Sequence, residues 1–152
     1  MAIERVKEYF RQYDMEERII ELSESSATVE LAAQALGCEP ARIAKSLSFM
    51  VDEKPNLIIC AGDVKVDNAK YKARFAAKAK MLTAEQAQIL IGHAVGGVCP
   101  FGINEGVTVY LDESLHAAAQ TALLNCRFRR WNGIPVMRNG WMSARCVNSE
   151  SI

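Results

Sequence analysis

Residues 43–61, IAKSLSFMVDEKPNLIICA, contain the pattern that decides the fold. Apolar residues alternate with smaller or polar ones from Ile43 to Val51, which is the period of a β-strand with one apolar face. Turn-forming residues follow at Asp52 to Asn56, and Leu57 to Ala61 form a second, shorter apolar run. The stretch therefore predicts a β-hairpin.

The segments on either side of this hairpin favour helices and short strands. Before it, the pattern predicts a helix over the first dozen residues, a strand at 18–22, and a helix capped from the polar stretch 23–26 and ending at Gly37. After it, the pattern predicts a helix from Asn68 to about Ala76, a strand at 78–82, a helix from Thr83 to about Leu90, and a strand at 107–111.

Composition limits the classes of protein to consider. The chain has 152 residues, half of them apolar, and a formal net charge of zero, so we expect one domain with no overall field for DNA or an anionic membrane. No apolar run approaches the ~20 residues of a membrane span, and the start lacks a signal-peptide pattern, so we expect a cytoplasmic protein. Five scattered cysteines and two histidines predict neither a disulfide framework nor a metal site.

Lys45 lies on the apolar face of the first predicted strand. Burying an unpaired ammonium is costly, so an anionic group is expected to meet it. A salt-bridged or snorkelling lysine at a strand end satisfies that expectation, and so does a lysine that holds a ligand phosphate as a point charge. The residue alone leaves both interpretations open.

The loop His93-Ala94-Val95-Gly96-Gly97-Val98-Cys99-Pro100-Phe101-Gly102 is the most unusual segment of the chain. Adjacent glycines let backbone N–H groups approach a ligand closely and hold a carbonyl oxygen or an oxyanion. An ordinary turn has the same composition. The loop has neither the Walker nor the dinucleotide-binding spacing, and we predict no cofactor.

Two further features carry weaker signals. Six basic residues against the single acid Asp67 form a local positive excess that suits contact with an RNA backbone or is a solvated helix face; they are Lys65, Lys70, Lys72, Arg74, Lys78 and Lys80. Cys99 with His93 as its base would make a thiol nucleophile, but their spacing across a loop fixes no geometry. No Ser/His/Asp arrangement is legible.

The pair Ile43-Ala44-Lys45-Ser46-Leu47 and, about fifty residues later, the glycine loop resembles the YbaK/EbsC family of aminoacyl-tRNA deacylases. That family is similar to the editing domain of prolyl-tRNA synthetase. The order of the predicted elements and the segments 28–32 and 109–114 also resemble it, and the resemblance covers about residues 1–115.

The resemblance implies an α+β fold with a twisted, mixed, partly barrel-like sheet and flanking helices, forming one editing domain over residues 1–152. It implies a trans-editing enzyme that deacylates mischarged aminoacyl-tRNA, with tRNA-Pro carrying alanine, cysteine or serine as the expected substrate. Aminoacyl-tRNA and a synthetase are the implied partners.

The resemblance also implies roles for residues. Lys45 would contact the phosphate or ribose of the terminal adenosine, and Gly96 and Gly97 would present amides to the ester carbonyl. The remaining amino-acid pocket would comprise Thr28, Ser46, Val98, Cys99, Pro100, Phe101 and Gly102, and the six basic residues would contact tRNA.

The implied mechanism is substrate-assisted, because no side-chain base is expected: a ribose hydroxyl positions water, or a thiol on the substrate attacks. Two alternatives remain open, a non-catalytic tRNA-binding or synthetase-associated module and a thiol enzyme that uses Cys99.

Residues 117–152 differ from the rest of the chain. They contain no lysine, five arginines, both tryptophans and the single acid Glu150. An RNA-binding tail with stacking aromatics is one interpretation. We favour the hypothesis that this tail is an out-of-frame translation, which the coding DNA sequence would test.

Overall fold

The computed structural model describes residues 2–115, with side chains from residue 3 onward. Its helices and turns are α1 (Ala2–Arg11), a 3₁₀ turn (Glu16–Arg18), α2 (Val29–Leu36), a 3₁₀ turn (Pro40–Arg42), α3 (Asn68–Phe75) and α4 (Ala84–Gln86), which continues as a π-helical turn (Ala87–Ile91). Its strands are β1 (Ala44–Val51), β2 (Lys54–Ala61) and β3 (Thr108–Leu111). The predicted tail and the hypothesis about its reading frame lie outside the described residues.

The three strands form one mixed sheet in the order β1-β2-β3. The hairpin is confirmed: β1 and β2 are antiparallel, with a register that runs from Ala44 opposite Ala61 to Val51 opposite Lys54. β3 is parallel to β2. The α+β fold with a mixed sheet is therefore confirmed, although across residues 2–115 the sheet is open and does not show the expected barrel-like closure.

The hairpin turn is shorter than predicted. Asp52 and Glu53 alone connect the strands, both with positive φ, 48° and 60°. Two left-handed residues match the right-handed twist of the strands that they connect. This turn sets the register, and therefore decides which residues of β1 direct their backbone groups away from β2.

Each face of the sheet packs against its own helices. On one face, Phe49 and Ile58 pack with Tyr71 of α3, and the aromatic rings of Phe49, Tyr71, Phe75 and Tyr110 follow one another at centroid distances of 5.1, 4.7 and 5.2 Å. On the other face, the buried cluster comprises Leu57, Ile59, Leu82, Ala87, Ile91, Val107 and Val109. The lysine-rich helix α3 is thus anchored to the sheet by its one buried residue, Tyr71.

Two predicted strands are wrong. In the segment 18–22, Arg18 ends a 3₁₀ turn, and Ile20 is 75% exposed, so this short apolar run has no sheet neighbour within the described residues. In the segment 78–82, a single bridge between Met81 and Phe49 forms, because only Lys80 and Leu82 reach the backbone of β1.

The helix caps differ in detail from the predictions. Thr28, not the stretch 23–26, caps α2, because its hydroxyl accepts the Leu31 amide at 3.2 Å. Asp67, not Asn68, caps α3. The predicted helix start at Thr83 is confirmed, where Thr83 and Gln86 form a capping box, and α2 ends at Gly37 as predicted.

His93 fixes the base of the glycine loop. Its side chain is buried, and Nε2 lies 2.7 Å from the carbonyl oxygen of Phe101. Because a carbonyl only accepts hydrogen bonds, Nε2 carries the proton, which leaves Nδ1 buried without a partner among the described residues. Burial lowers the pKa of His93 and the charge of Arg5 adds to this, whereas the bond to Phe101 opposes both.

We expect Tyr71→Phe to leave the free energy of unfolding unchanged or raise it by up to about 1 kcal/mol. The Tyr71 hydroxyl is buried without a hydrogen-bond partner in the described part of the chain, so its removal also removes an unsatisfied polar group. Urea denaturation measures the change, with Tyr71→Ala as the contrast, for which a loss of about 3–5 kcal/mol is expected. A loss above about 1 kcal/mol for the phenylalanine variant would show that the hydroxyl is bonded.

We expect the free energy of unfolding to fall as the pH decreases below about 6.5, the pKa of an unperturbed histidine. Below this pH His93 is protonated in the unfolded chain, whereas burial keeps it neutral in the folded protein. The free energy of unfolding therefore changes with pH by at most about 1.4 kcal/mol per pH unit. Urea denaturation of the unmutated chain and of His93→Gln between pH 7.5 and 5.0 isolates this contribution. Equal slopes for the two proteins would contradict it.

Candidate functional site

A cleft of about 400 Å³ lies along the edge of β1 that faces away from β2. Its walls come from the entry to α2, from β1, from the segment that bridges to β1, and from the glycine loop. The lining residues are Ser26, Ala27, Thr28, Val29, Ala32, Ile43, Ala44, Lys45, Ser46, Leu47, Ser48, Met81, Leu82, Val95, Gly96 and Val98.

The register of the hairpin exposes backbone groups to this cleft. Residues that flank a two-residue turn exchange hydrogen bonds, so Val51 and every second residue before it bond to β2. The alternate residues direct their amides and carbonyls outward: Met50 N donates to Lys80 O at 2.9 Å, and Ser48 O accepts from Leu82 N at 3.0 Å. The next outward residue is Ser46, which lines the cleft.

Lys45 is the single charged residue among the lining residues that the structure describes. Its Nζ donates to the carbonyl oxygen of Gly62 at 3.0 Å and to that of Val64, and none of the ion pairs found within residues 3–115 includes it. An ammonium has three N–H donors. Two are therefore used within residues 3–115, and the third has no partner there.

The glycine loop reaches the cleft through Val95, Gly96 and Val98. Gly96 has a φ of +91°, so a side chain at this position would strain the backbone of the loop, and its Cβ would lie 3.4 Å from the Cβ of Ala27 on the opposite wall. Among the described residues, neither the Gly96 nor the Val98 amide donates a hydrogen bond, whereas the Gly97 amide donates to Ala94 O at 3.0 Å. Gly96 and Val98 are thus cleft-lining loop residues whose amides have no hydrogen-bond partner among the described residues.

The cleft brings together only part of the residue set expected from the sequence. Lys45, Gly96, Thr28, Ser46 and Val98 line it. Five expected residues lie outside the lining: Gly97, Cys99, Pro100, Phe101 and Gly102.

The sequence reasoning missed several apolar lining residues. Met81 and Val95 are 57% and 63% exposed, and Ala27 and Ala32 form part of the opposite wall. Met81 lies in a predicted strand and Ala32 in a predicted helix, and these patterns do not indicate which of their residues line a cleft.

The proposed pairing of Cys99 with His93 lacks the geometry of a nucleophile and its base. Cys99 Sγ lies 3.9 Å from His93 Nε2, but that nitrogen donates its proton to the Phe101 carbonyl and cannot accept one from the thiol. Burial also raises the pKa of Cys99, which favours the neutral thiol. Nothing in this arrangement therefore activates the Cys99 thiol as a nucleophile.

The six basic residues between Lys65 and Lys80 are all exposed. The segment begins beside Val64, whose carbonyl holds Lys45, and ends at Lys80, whose neighbour Met81 lines the cleft. Each end of the positive segment is thus adjacent in sequence to a residue that contacts Lys45 or lines the cleft, with α3 between the two ends.

The described residues offer neither a cluster of metal ligands nor a membrane-spanning helix. No group of three or more histidine, cysteine, aspartate or glutamate side chains there could hold a metal ion. None of the helices in that part of the chain has the length and apolar character needed to cross a bilayer.

Comparison with known proteins identifies relatives of the whole fold. The chain is 45% identical over 116 residues to the uncharacterized protein YwhH of Bacillus subtilis, a match that covers 76% of this chain and 74% of the relative. A solved structure described as a candidate trans-editing enzyme for prolyl-tRNA synthetase superposes with a TM-score of 0.67 at 32% identity, and covers 75% of this chain and 73% of that one.

Longer relatives are similar to this chain over only a small part of their own length. The proline–tRNA ligase of Geobacillus sp. strain WCH70 is 32% identical over 91 residues, which cover 59% of this chain but 16% of the ligase. The family model of the aminoacyl-tRNA editing domain matches residues 23–126. That range is more than half of the chain and contains every residue of the cleft lining. The chain belongs to the aminoacyl-tRNA editing domain family.

Proposed function

We propose that the protein is a trans-editing hydrolase that cleaves the ester of mischarged aminoacyl-tRNA. One observation carries the proposal: Lys45, which has no carboxylate partner among the described residues, and the glycine-loop residues Gly96 and Val98, whose amides are unbonded there, line the same cleft. The first suits the anionic, polar end of a tRNA, and the second suits an ester carbonyl.

In this proposal Lys45 binds the terminal adenosine. The ammonium donates its remaining N–H to the phosphate or to a ribose oxygen, while the Gly62 and Val64 carbonyls keep it in place. The exposed basic segment 65–80 contacts the RNA backbone that leads away from the cleft. Because translation takes place in the cytoplasm, this partner also supports a cytoplasmic location.

The aminoacyl group is held by backbone atoms. The Gly96 and Val98 amides donate to the ester carbonyl, and the outward carbonyl of Ser46 accepts from the α-ammonium, since the described lining contains no carboxylate to do so. Alanines at positions 27 and 32 and the side chain of Val98 leave room for a small side chain. These walls support alanine, cysteine or serine as the amino acid that is removed.

The mechanism is substrate-assisted. The described lining contains no carboxylate, imidazole or thiol that could serve as a base, so the free ribose hydroxyl beside the ester orients the attacking water. The water oxygen adds to the carbonyl carbon, and the two loop amides stabilise the oxyanion that forms. The bond to the ribose oxygen then breaks, and a proton from the attacking water ends on that oxygen, which yields the free amino acid and tRNA.

The choice of tRNA-Pro is supported by the relatives. The related ligases attach proline to its tRNA by name, and the similar solved structure is described as acting for prolyl-tRNA synthetase. The protein therefore acts on tRNA-Pro, in the company of that synthetase.

We expect Lys45→Ala and Gly96→Ala to lower the rate of alanyl-tRNA-Pro hydrolysis by roughly 100-fold each, because each removes a group that orients or stabilises the reacting ester. Release of labelled alanine measures the rate. Matched controls are Lys54→Ala, an exposed strand lysine outside the cleft, and Gly106→Ala, a glycine of similar φ (+84°) with no atom within 4 Å of its added Cβ.

Other outcomes separate the alternatives. Binding of tRNA without hydrolysis above background would establish a non-catalytic module and overturn the proposal. Cys99→Ala is expected to keep its rate, and a loss as large as that of Lys45→Ala would instead support a thiol enzyme.

We expect neutralisation of the three basic residues of α3, Lys70→Gln, Lys72→Gln and Arg74→Gln together, to weaken tRNA binding and its salt dependence. Each lost phosphate contact lowers the slope of log affinity against log salt by about 0.7–0.9. Binding of tRNA at several salt concentrations measures the slope. Arg18→Gln, which neutralises an exposed arginine elsewhere, is the control, and an unchanged slope in the triple variant would exclude α3 from the RNA contact.

A further inference from the structure

The two ends of the glycine loop are joined by one asparagine. Asn104 Nδ2 donates to the carbonyl oxygens of Ile89 and Leu90 at 2.9 and 3.2 Å. The backbone amide of Asn104 donates to the carbonyl oxygen of Ile91 at 2.9 Å. These carbonyls belong to the end of the π-helical turn, immediately before the loop begins. The loop 92–104 is therefore closed at its base.

Arg5 of α1 spans this closure. Its Nη1 donates to the carbonyl oxygen of Gly92, and its Nη2 donates to Oδ1 of Asn104, both at 2.9 Å. One planar guanidinium thus contacts the first residues of the loop and the last, which lie 87 and 99 residues away in the sequence. Hydrogen bonds from a charged group are stronger than those between neutral groups, and the fork geometry fixes both partners at once.

Other contacts join the same helix to the loop. The ring of Phe101 packs against those of Tyr9 and Phe10, with centroids 5.8 and 4.8 Å apart. Gly102 has a φ of +62° and lies so close to α1 that a Cβ there would be 2.8 Å from the carbonyl oxygen of Arg5. The side of the loop that faces away from the cleft is thus in contact with α1.

We propose that α1 is a clamp on the glycine loop, and that Arg5 is a positioning residue for the Gly96 and Val98 amides. The proposal rests on the proposed function, in which those amides hold the ester carbonyl. Donors that are already oriented stabilise an oxyanion without reorganisation at the moment of reaction, so a loop that samples several conformations is a weaker catalyst. The residues matched by the family model begin at 23, and α1 precedes them.

The exposure of Arg5 determines how much activity we expect its removal to cost. Its guanidinium is in contact with solvent, and the aromatic contacts of Phe101 remain when it is removed. We therefore expect Arg5→Ala to lower kcat for alanyl-tRNA-Pro hydrolysis roughly tenfold with KM within about twofold, since misplacement of reacting groups acts mainly on the chemical step. Arg5→Lys, which retains one donor to the loop, is expected to restore about a third of the rate.

The experiment compares Arg5→Ala, Arg5→Lys and Arg11→Ala in the full chain. Arg11 lies on the same helix but bonds to Glu8 and Glu16, away from the loop, so its variant controls for weakening of α1 itself. Amide hydrogen exchange by NMR is the second measurement, with exchange of the hydrogen-bonded loop amides of Gly97 and Asn104 expected to rise about tenfold in Arg5→Ala. It should stay unchanged in Arg11→Ala.

Unchanged exchange at Gly97 and Asn104 in Arg5→Ala would overturn the clamp, whatever the enzyme activity. Equal losses of kcat in the Arg5→Ala and Arg11→Ala variants, in proportion to melting temperature, would overturn it as well. If the unmutated protein hydrolyses no aminoacyl-tRNA, the proposed function fails, and the exchange measurement still decides whether α1 holds the loop.

Discussion

The Lys45 ammonium is held by two backbone carbonyls instead of a carboxylate, and the arrangement of the cleft depends on this. Carbonyl dipoles fix the position of the cation, and within residues 3–115 no carboxylate forms an ion pair with it. A carboxylate at the same place would neutralise the site and compete with a phosphate. The segment after β2 that supplies both carbonyls is therefore part of the site, although its side chains do not line the cleft.

The hairpin register is the second constraint. Because only two residues connect β1 to β2, the outward backbone groups of β1 fall on its even-numbered residues. Two of them, Ser48 and Met50, bond to the segment that contains Met81, and the cleft opens where that pairing stops, at Ser46. A free strand edge supplies both donors and acceptors without any charged side chain, which suits a substrate that carries an ammonium and a carbonyl close together.

Strong periodicity made part of this structure predictable. The alternation around Lys45 predicted its strand and its apolar neighbours, and the pattern ending at Gly37 predicted α2. The structure of short apolar runs was not predictable. The segments 18–22 and 78–82 have the pattern of strands, but a strand forms only where a neighbouring strand pairs with it, and the local sequence does not show that neighbour. Within the glycine loop, the sequence could not show which amides are free: Gly97 bonds internally, and Phe101 packs away from the cleft. The contact between Arg5 and Asn104 joins residues 99 apart, and no local pattern records it.

The central claim is that one cleft receives the aminoacyl end of a tRNA between Lys45 and the glycine loop. NMR titration with a non-hydrolysable analogue, an adenosine 5′-phosphate with alanine joined to its 3′ position by an amide, tests this claim most directly. The account predicts that the largest shifts occur at Lys45, Ser46, Gly96 and Val98, with saturation at a single affinity. Shifts confined to residues outside the cleft lining, or saturable binding that leaves Lys45 and Gly96 undisturbed, would contradict it.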